Sequence, residues 1–379
     1  MTPAVSGLPT PRDLEKVPES ALYVVPRAVV FGSHATQLLK SGQAFLLCGS
    51  ASAFTAVEVV VRKADQISRY VSSVTAFDPW RHVLSQSQQS HFSECLENIA
   101  RNRPPFAGLA VNETKVMGIV NVTPDSFSDG GDYATHDAAI QHGLVLANAG
   151  ADILDVGGES TRPGAEVVSA DEEKNRVLPV VKALAEKGCI VSIDTRNAST
   201  MAAAIDAGAS VVNDVTALAG DPEALDVVVK KHAPVVLMHM QGDPRTMQTA
   251  PSYTYAPIDV YDVLKSRVDV CIDAGIDRGS ICIDPGIGFG KDDTNNLNLL
   301  DNLTLFQGLG CPIMLGASRK GFIGRLSNTP APKDRLPGSL AAALTGVDQG
   351  VQILRVHDVA ETKQAISMQH AIHAQQLDQ

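Results

Sequence analysis

The sequence has no surplus of positive charge. Its 42 aspartates and glutamates outnumber its 31 lysines and arginines, which gives a net charge of −11 at pH 7 and an isoelectric point near 5.3. A protein that binds nucleic acid or an anionic membrane needs a basic face to attract the phosphates. The charge balance therefore argues against both classes, and any anionic ligand must be held by a local cluster of cations.

Long apolar runs and paired cysteines are also missing. The first twenty residues lack the basic start and apolar stretch of a secretory signal, and no segment is long and apolar enough to span a bilayer. The six cysteines are dispersed without C-x-x-C spacing, so neither a zinc site nor a disulfide framework is indicated. We therefore expect a cytoplasmic protein whose cysteines are reduced packing residues.

What the sequence does contain is enough apolar material for a large folded domain. It has 379 residues, of which 44% are hydrophobic, with 30 glycines and 21 prolines for turns. A (β/α)₈ barrel needs only about 250 residues, so one large and one small domain are expected. The Pro104-Pro105 pair marks the predicted boundary between a small α/β extension at residues 1–104 and a barrel at residues 105–379.

From Lys115 onward, short β-branched runs alternate with longer helical segments. This alternation is typical of βα units whose parallel strands are buried. Eight such units favour a closed (β/α)₈ barrel over an open sheet. The predicted strands are Val116–Val120, Ile153–Val156, Ile190–Ile193, Ser210–Val212, Val235–Met238, Ile281–Ile283, Pro312–Leu315 and Gln352–Val356. The predicted helices include Asp137–Ala149, Ala170–Lys187, Ala198–Ala207, Pro222–His232, Val260–Ala274 and Ser339–Gln349.

Residues 1–104 follow a different pattern. Two strands, Ala21–Phe31 and Phe45–Leu47, and two helices, Ala56–Ile67 and Ser87–Arg101, are predicted there. The segment contains no internal repeat, low-complexity tract or chemical motif. Its sequence therefore indicates no specific role, and we expect it to support stability, assembly or regulation.

A short connection joins the extension to the first barrel strand. Phe106–Lys115 is predicted to form a hairpin, with Asn112-Glu113 near its turn. Because this segment directly precedes the first strand, we expect it to close the floor of the barrel.

Polar residues follow nearly every predicted barrel strand at the point where the strand ends. In a (β/α)₈ barrel these ends converge on one rim, where ligands bind. A single polar loop residue is unremarkable, but recurrence after eight strands favours a functional rim. The residues are Asn121, Gly157–Arg162, Asp194–Arg196, Asn213-Asp214, His239, Asp284, Ser318–Lys320 and His357.

Two long motifs carry a family resemblance. MGIVNVTPDSFSDGG at residues 117–131 and DVGGESTRPGA at residues 155–165 resemble the two signatures of the dihydropteroate synthases. Shorter motifs agree in order and spacing, and the resemblance runs from about Phe106 to near the C-terminus. These motifs are SIDT (192–195), VNDV (212–215), LMHMQG (237–242), IDPGIGFGK (283–291), ASRKGFIG (317–324) and RVHD (355–358).

The resemblance implies a transferase of folate biosynthesis. Members of the family join 6-hydroxymethyl-7,8-dihydropterin pyrophosphate to p-aminobenzoate, releasing pyrophosphate and 7,8-dihydropteroate, by an SN1-like displacement. The family is a target of sulfonamides and uses Mg²⁺. The resemblance also suggests that this chain forms a homodimer. Its small-molecule substrates are the expected partners of this chain.

A pterin presents an edge of amine, ring N–H and carbonyl groups, so its pocket needs inward-facing carboxylates and amides. By the resemblance, Asp194, Asn213 and Asp284 hold that edge. Lys320 reaches the pterin carbonyl and ring nitrogen, and Met238 packs nearby. The alternative for each aspartate is that it only caps the helix that follows its strand.

A pyrophosphate leaving group needs cations and hydrogen-bond donors. By the resemblance, Arg162, Arg355 and His357 supply them, and the side-chain oxygen of Asn121 binds Mg²⁺. Alternation along a strand places Arg355 and His357 on one face. For these two residues the alternative is a surface ion pair.

p-Aminobenzoate needs donors for its carboxylate and an apolar wall for its ring. Thr161, Ser318 and Lys320 are the candidate donors. Pro163 and Phe289 are the candidates to flank the ring. Phe289 has the alternative of being only a packing residue of the barrel lid.

The resemblance assigns catalysis to three residues. Asp194 stabilises the pterin cation left by departing pyrophosphate, while Lys320 and Arg162 bind the reacting substrate. The aniline nitrogen is already neutral at pH 7, so no general base of special pKa is needed.

Two rival functions remain at this point. Pterin-dependent methyltransferases that act with a corrinoid protein share the barrel and the pterin-edge residues, but they have no reason to keep a pyrophosphate site. A catalytically silent pterin-binding paralogue is the other, with the extension as its partner-binding element. Arg162, Lys320 and His357 argue against both.

Overall fold

The chain folds into an N-terminal extension and a barrel, each with its own sheet. The computed structural model describes residues 4–49, 52–122, 132–159, 168–242, 247, 249 and 251–374. Within these residues the extension carries a five-stranded sheet and the barrel an eight-stranded parallel sheet. The predicted fold class is therefore confirmed.

The extension is a sheet packed with helices. Its described elements are β1 (Val5–Ser6), α1 (Pro11–Leu14), β2 (Leu22–Phe31), α2 (Gly32–Lys40), β3 (Phe45–Leu47), β4 (Ser52–Lys63), β5 (Gln66–Ser73), α3 (Val74–Arg81) and α4 (Gln86–Ala100). The strand order is β1-β5-β4-β2, and β3 pairs with β4. The two predicted strands and the helix predicted at Ser87–Arg101 are confirmed.

The helix predicted at Ala56–Ile67 is wrong, because this segment forms most of β4 and the start of β5. Val57, Val59 and Val61 pack into the core of the extension, while Val60 joins the larger core of the barrel. Both faces of β4 are thus buried. A run of β-branched residues with two buried faces favours a strand over a helix.

The barrel follows the predicted βα alternation. Its described elements are β6 (Lys115–Asn121), α5 (Asp132–Asn148), β7 (Ile153–Gly157), α6 (Ala170–Glu186), β8 (Val191–Asp194), α7 (Ala198–Asp206), β9 (Val211–Asp214), α8 (Ala224–Lys231), β10 (Val235–Met238), α9 (Ala256–Asp273), β11 (Ile281–Asp284), α10 (Asp293–Asp301), β12 (Met314–Leu315), α11 (Gly321–Leu326), α12 (Leu336–Asp348), β13 (Ile353–Val356) and α13 (Val359–Ala374). All eight predicted strands are confirmed within a few residues.

The strands close into a barrel in sequence order. Neighbours pair in the order β11-β10-β9-β8-β7-β6-β13-β12. An isolated parallel bridge between Ile283 and Ile313 joins β11 to β12 and completes the circle. β12 is shorter than predicted; Pro312, which has no backbone N–H to donate, precedes it.

The floor of the barrel is a closed apolar layer. Alternation along each strand points every second side chain inward. The inward residues at the start of the strands form one buried cluster with Phe106 and Val111: Met117, Ile153, Val211, Val236, Cys282, Met314 and Ile353. Two residues further along the same strands, the inward positions are Ile119, Asp155, Asn213, Met238, Asp284, Gly316 and Arg355. Directly above an apolar floor, the interior therefore becomes polar.

The connection that precedes β6 closes this floor, as predicted, but its turn lies elsewhere. Phe106 and Leu109 form an antiparallel bridge. The turn residues are Ala107 and Gly108, both with positive φ, and not Asn112-Glu113. Gly108 adopts this backbone conformation without strain, so the turn forms where the glycine is.

The extension packs against the side of the barrel. Tyr23 and Val60 belong to the same buried cluster as the barrel core. Thr304 of the barrel donates to the carbonyl of Pro26 at 2.9 Å. Apolar and hydrogen-bonded contacts thus join the two units.

In the described part of the chain, no helix is long and apolar enough to cross a membrane. The six cysteines are free thiols, and five of them are buried. Their burial agrees with the predicted packing role.

Candidate active site

Arg355 of β13 bridges two carboxylates from neighbouring strands. Its Nε donates to Asp155 Oδ2 and its Nη2 donates to Asp194 Oδ2, both at 2.6 Å. Asn213 Nδ2 donates to the same oxygen of Asp155 at 3.0 Å. The side chain of Asp155 is fully buried, whereas that of Asp194 is 14% exposed. Asp155 therefore anchors the cluster, and Asp194 is the carboxylate that a ligand can reach.

Two carboxylates share this one guanidinium, and the pKa values reflect it. Burial raises the pKa of Asp194 to about 7; Arg355 opposes the shift and Asp155 adds to it. Burial would lower the pKa of Arg355, but the two carboxylates outweigh it and raise that pKa. Hydrogen-bond donors on a ligand edge would stabilise the ionised form of Asp194.

The register of the strands brings the predicted pterin residues together. Asp194 of β8 pairs with Asn213 of β9, and Met238 of β10 pairs with Asp284 of β11. Burial raises the pKa of Asp284, opposed first by a hydrogen bond from the Gly286 backbone. These four residues line adjacent strand ends on one side of the barrel mouth.

Lys320 completes this side of the site. Its Nζ lies 4.0 Å from the centre of the Phe289 ring, a distance at which a cation is attracted to the ring face. Burial and Arg355 lower the pKa of Lys320 to about 8. The ring belongs to an apolar cluster suited to a flat ligand, formed by Val215, Met238, Met247 and Phe289.

A second lysine, Lys291, ties two site loops together. It is 1% exposed, and its Nζ donates to the carbonyls of Gly286 and Phe289 at 2.8 Å and contacts His239 Nδ1 at 3.0 Å. Burial lowers the pKa of Lys291 to about 7. Burial and Lys291 together lower the pKa of His239 to about 3, so the imidazole is neutral and accepts from the lysine.

Glycines let the same two loops approach each other. Gly286 has φ +69° and Gly290 has φ +60°. A Cβ at Gly286 would lie 1.9 Å from the His239 carbonyl oxygen, and one at Gly290 would lie 2.3 Å from that of Gln241. Only glycine fits at either position, so the IDPGIGFGK motif fixes where Phe289 and Lys291 lie.

Ser318 and His357 form a second hydrogen-bonded pair at the mouth. Ser318 Oγ lies 3.1 Å from His357 Nδ1 and accepts from the His357 backbone N–H at 3.2 Å. Between Ser318 and Lys320, Arg319 adopts φ +57° and pairs with Asp358. Burial and the neighbouring arginines lower the pKa of His357 to about 3, so its ring is neutral at pH 7.

Some strand-end carboxylates do act as caps. Asp214 accepts from the backbone N–H groups of Thr216 and Leu218, so it caps the turn after β9 and not the helix α8, which begins at Ala224. Asp284 uses Oδ1 to accept from the Gly286 N–H at 2.7 Å. Its other oxygen, Oδ2, faces Gly316, where an added Cβ would lie 3.7 Å away.

The remaining predicted residues lie near the end of a described segment or outside the described residues. Asn121 is the last residue of β6, is partly buried and pairs with Gly157. Thr161, Arg162 and Pro163 lie outside the described residues, as does the whole segment 123–131. Across the described ranges, no group of three or more histidine, cysteine, aspartate or glutamate side chains has the arrangement of a metal site.

Sequence reasoning missed two buried residues of the site. Asp155 stands inside the quoted DVGGESTRPGA motif and Lys291 ends IDPGIGFGK. The signal that could have found them is that each is an ionisable residue within a family motif, and neither had been assigned a ligand. In the structure both hold other site residues: Asp155 holds Arg355, and Lys291 holds the Phe289 backbone.

Comparisons with known proteins agree with this geometry. The family model described as "Pterin binding enzyme" matches residues 117–357. The dihydropteroate synthase of Escherichia coli is 44% identical over 264 residues, which cover 69% of this chain and 93% of the relative. The Xanthomonas albilineans dihydropteroate synthase solved with 4-aminobenzoic acid is 46% identical, with a TM-score of 0.68, and covers 72% of this chain and 99% of that one. The same enzyme in complex with 7,8-dihydropteroate is 44% identical, with a TM-score of 0.64, and covers 70% of this chain and 96% of that one.

Proposed function

The chain belongs to the dihydropteroate synthase family, and from this premise we propose how its residues carry out the reaction. The enzyme is a transferase that condenses 6-hydroxymethyl-7,8-dihydropterin pyrophosphate with p-aminobenzoate to give 7,8-dihydropteroate and pyrophosphate. The observation that supports our assignment most strongly is the Asp155–Arg355–Asp194 cluster beside Asn213. It offers both charge and amide groups at one strand-end surface.

Asp194, Asn213 and Asp284 bind the pterin edge in this proposal. The support is the pairing of Asp194 with Asn213 across β8 and β9, the position of Asp284 on β11 beyond the intervening β10, and the exposed fraction of Asp194. Lys320 donates to the pterin carbonyl and ring nitrogen, and Met238 packs against the ring. A flat heterocycle fits beside the apolar cluster that contains Met238 and Phe289.

Arg355 and His357 bind the pyrophosphate, together with Arg162. Asp155 fixes the Arg355 side chain through a 2.6 Å hydrogen bond, so the guanidinium is held in place before the ligand arrives. The neutral His357 ring acts as a hydrogen-bond donor and gains charge only if a phosphate raises its pKa.

Ser318, Lys320 and Thr161 meet the carboxylate of p-aminobenzoate, and Phe289 and Pro163 flank its ring. A relative has been solved with this ligand. The Phe289 ring already carries the Lys320 ammonium on one face. This pairing supports a site that accepts a flat ring with a negative end.

The mechanism we propose is dissociative. The bond between the exocyclic methylene and the pyrophosphate oxygen breaks first, and both electrons leave with pyrophosphate. Asp194 stabilises the resulting pterin cation electrostatically, and the lone pair of the aniline nitrogen then forms the new C–N bond. The nitrogen releases its proton to solvent or to the departing pyrophosphate.

Asn121 fits a Mg²⁺ site of the kind that uses few protein ligands. It offers one neutral amide oxygen at a strand end, and Mg²⁺ commonly keeps several waters and binds substrate phosphates. When bound, the ion would make the pyrophosphate a less basic leaving group. We expect EDTA to abolish turnover and added Mg²⁺ to restore it; full activity in a rigorously metal-free preparation would contradict this.

The experiment that tests the function measures pyrophosphate release from 6-hydroxymethyl-7,8-dihydropterin pyrophosphate, with and without p-aminobenzoate. We expect release that depends on p-aminobenzoate and yields 7,8-dihydropteroate. Binding of the pterin without any turnover would favour a silent pterin-binding protein. Because a Yersinia pestis relative has been solved with a sulfonamide, we also expect a sulfonamide to compete with p-aminobenzoate.

We further propose a cytoplasmic homodimer. The substrate is a pyrophosphate anion that does not cross membranes unaided, which supports a cytoplasmic location, and the family resemblance supports the dimer. Sedimentation of the full chain should give twice the chain mass of 40.0 kDa. A single species at the monomer mass would contradict the dimer.

A further inference from the structure

The extension contacts the start of α9, a helix whose first turn lies beside the site loops. Arg62 of β4 donates to Asp262 at 2.8 Å and pairs with Asp259 Oδ1. The other oxygen of Asp259 accepts from the Tyr255 backbone N–H at 3.0 Å. Arg62 therefore fixes the carboxylate that caps the first turn of α9.

A second arginine of the extension reaches the same turn. The Arg69 guanidinium of β5 lies over the Tyr255 ring, 5.5 Å from its centre. Arg69 is held in turn by Glu58, which is 1% exposed. Tyr255 is itself buried. The backbone and the ring of Tyr255 are thus both set by residues of the extension.

The segment just before Tyr255 contacts the loop that carries Phe289 and Lys291. Tyr253 donates its hydroxyl to the Gly290 carbonyl at 2.7 Å. The side-chain amide of Gln241 is bonded to the Ser252 backbone at both ends, at 3.0 and 2.9 Å. A shift of Tyr253 would therefore move the Gly290 peptide, which lies between the two site residues.

We propose that Arg62 and Arg69 are positioning residues of the active site. They act through Tyr255 and Tyr253 on the Phe289–Lys291 loop, and so on the affinity for the pterin substrate. The inference rests on the proposed function of that site. In this proposal the extension influences substrate binding, although none of its side chains touches the substrate.

The test compares steady-state constants of the full chain and of a variant with both Arg62→Gln and Arg69→Gln. We expect the KM for the pterin pyrophosphate to rise about three- to tenfold, the range expected when coupling through packed side chains is lost. We expect kcat to stay within about twofold. Arg81→Gln is the matched control, because Arg81 pairs with Asp78 inside the extension and should leave both constants unchanged.

The path is tested with Tyr253→Phe, which removes only the hydroxyl that binds the Gly290 carbonyl. We expect this variant alone to raise KM by a similar factor. Combined with the two arginine substitutions, it should add less than about twofold, because all three changes break one chain of contacts. Fully multiplicative effects would overturn the path that we propose.

Thermal unfolding of every variant separates positioning from stability. A lower Tm with an unchanged KM for the double arginine variant would overturn the proposal and leave the extension a stabilising role alone. A raised KM at a temperature well below Tm supports it. If the unsubstituted chain releases no pyrophosphate in the same assay, the proposed function fails instead, so the two failures are distinct.

Discussion

The extension and the barrel each bury a carboxylate beside arginine, but they balance the charge differently. Glu58 of the extension is 1% exposed and pairs with both Arg27 and Arg69. In the barrel the ratio is reversed, because Asp155 and Asp194 share Arg355 as their ion-pair partner among the residues that the structure describes. In the extension one carboxylate pairs with two arginines, whereas in the barrel two carboxylates pair with one described arginine.

The pKa values show the consequence. Burial would raise the pKa of Glu58, but Arg69 and Arg27 outweigh it and hold the pKa below its usual value. For Asp194 burial prevails, and the pKa rises to about 7. The extension satisfies its buried charge internally, whereas the barrel leaves a carboxylate whose charge a ligand completes. The buried carboxylate of the extension therefore stabilises the fold, whereas the buried carboxylate of the barrel is available to a ligand.

The largest expected effect separates these two uses of charge. Asp194→Asn should keep the fold but lower turnover on the order of a hundredfold or more, because it removes the charge that opposes the pterin cation. The measurement is kcat for pyrophosphate release, with circular dichroism as the check on folding. Asp214→Asn is the control, since that carboxylate caps its own loop, and it should change kcat far less. An unchanged kcat in Asp194→Asn would remove this residue from catalysis.

The next effect falls on stability. Glu58→Gln should lower the free energy of unfolding by about 2 kcal/mol, because it leaves two arginines facing a buried neutral amide. Urea unfolding measures this change. Asp78→Asn breaks the exposed pair with Arg81, whose carboxylate side is 47% exposed, and should cost about 0.5 kcal/mol or less. Equal losses in the two variants would show that the burial of Glu58 is unimportant.

Removal of the extension tests the comparison as a whole. A chain that begins at about Pro104 should keep measurable turnover, with kcat within about tenfold, because every proposed substrate contact lies between Asn121 and His357. It exposes the apolar face that β4 covers, so aggregation must be excluded first. A soluble, monodisperse truncation with native-like circular dichroism and no pyrophosphate release would show that the extension completes the active site.

The smallest effect concerns pH. Because the pKa of Asp194 rises from 3.8 to about 7 on folding, the folded state binds more protons than the unfolded state between these values. Stability from this group is therefore lost as the pH rises through that window. Asp194→Asn cannot titrate, so its stability relative to the unsubstituted chain should improve by at least about 1 kcal/mol between pH 4 and pH 7. A constant difference across this range would contradict the raised pKa.

Local patterns in the sequence were sufficient for the barrel but not for the extension. β10 has the bounds predicted for it, Val235–Met238, because a short apolar run between turns needs only burial to become a strand. The helix predicted at Ala56–Ile67 is wrong, because most of this segment lies in β4, a strand that buries both faces and the charged Glu58. The arginines that neutralise Glu58 lie 31 and 11 residues away. No local sequence pattern indicates that they pack against Glu58.

The same limit applies to the site. Asp194, Asn213, Asp284 and Lys320 were predictable as a group because strand ends converge in a barrel. The role of Asp155 depends on Arg355, which is 200 residues away in sequence. Contacts of that range follow from the closed topology and not from any pattern in a single segment.

The bridge that closes the barrel also determines where local opening costs the least free energy. The described strands are joined by continuous ladders everywhere except between β11 and β12, where one bridge joins Ile283 to Ile313. Few backbone hydrogen bonds at a junction mean a low free energy of local opening. Amide hydrogens along this seam should exchange with solvent sooner than those of β7 or β8. This junction lies between Asp284, at the end of β11, and Gly316, which follows β12. Local opening of the barrel is therefore easiest between two strand ends that line the active site.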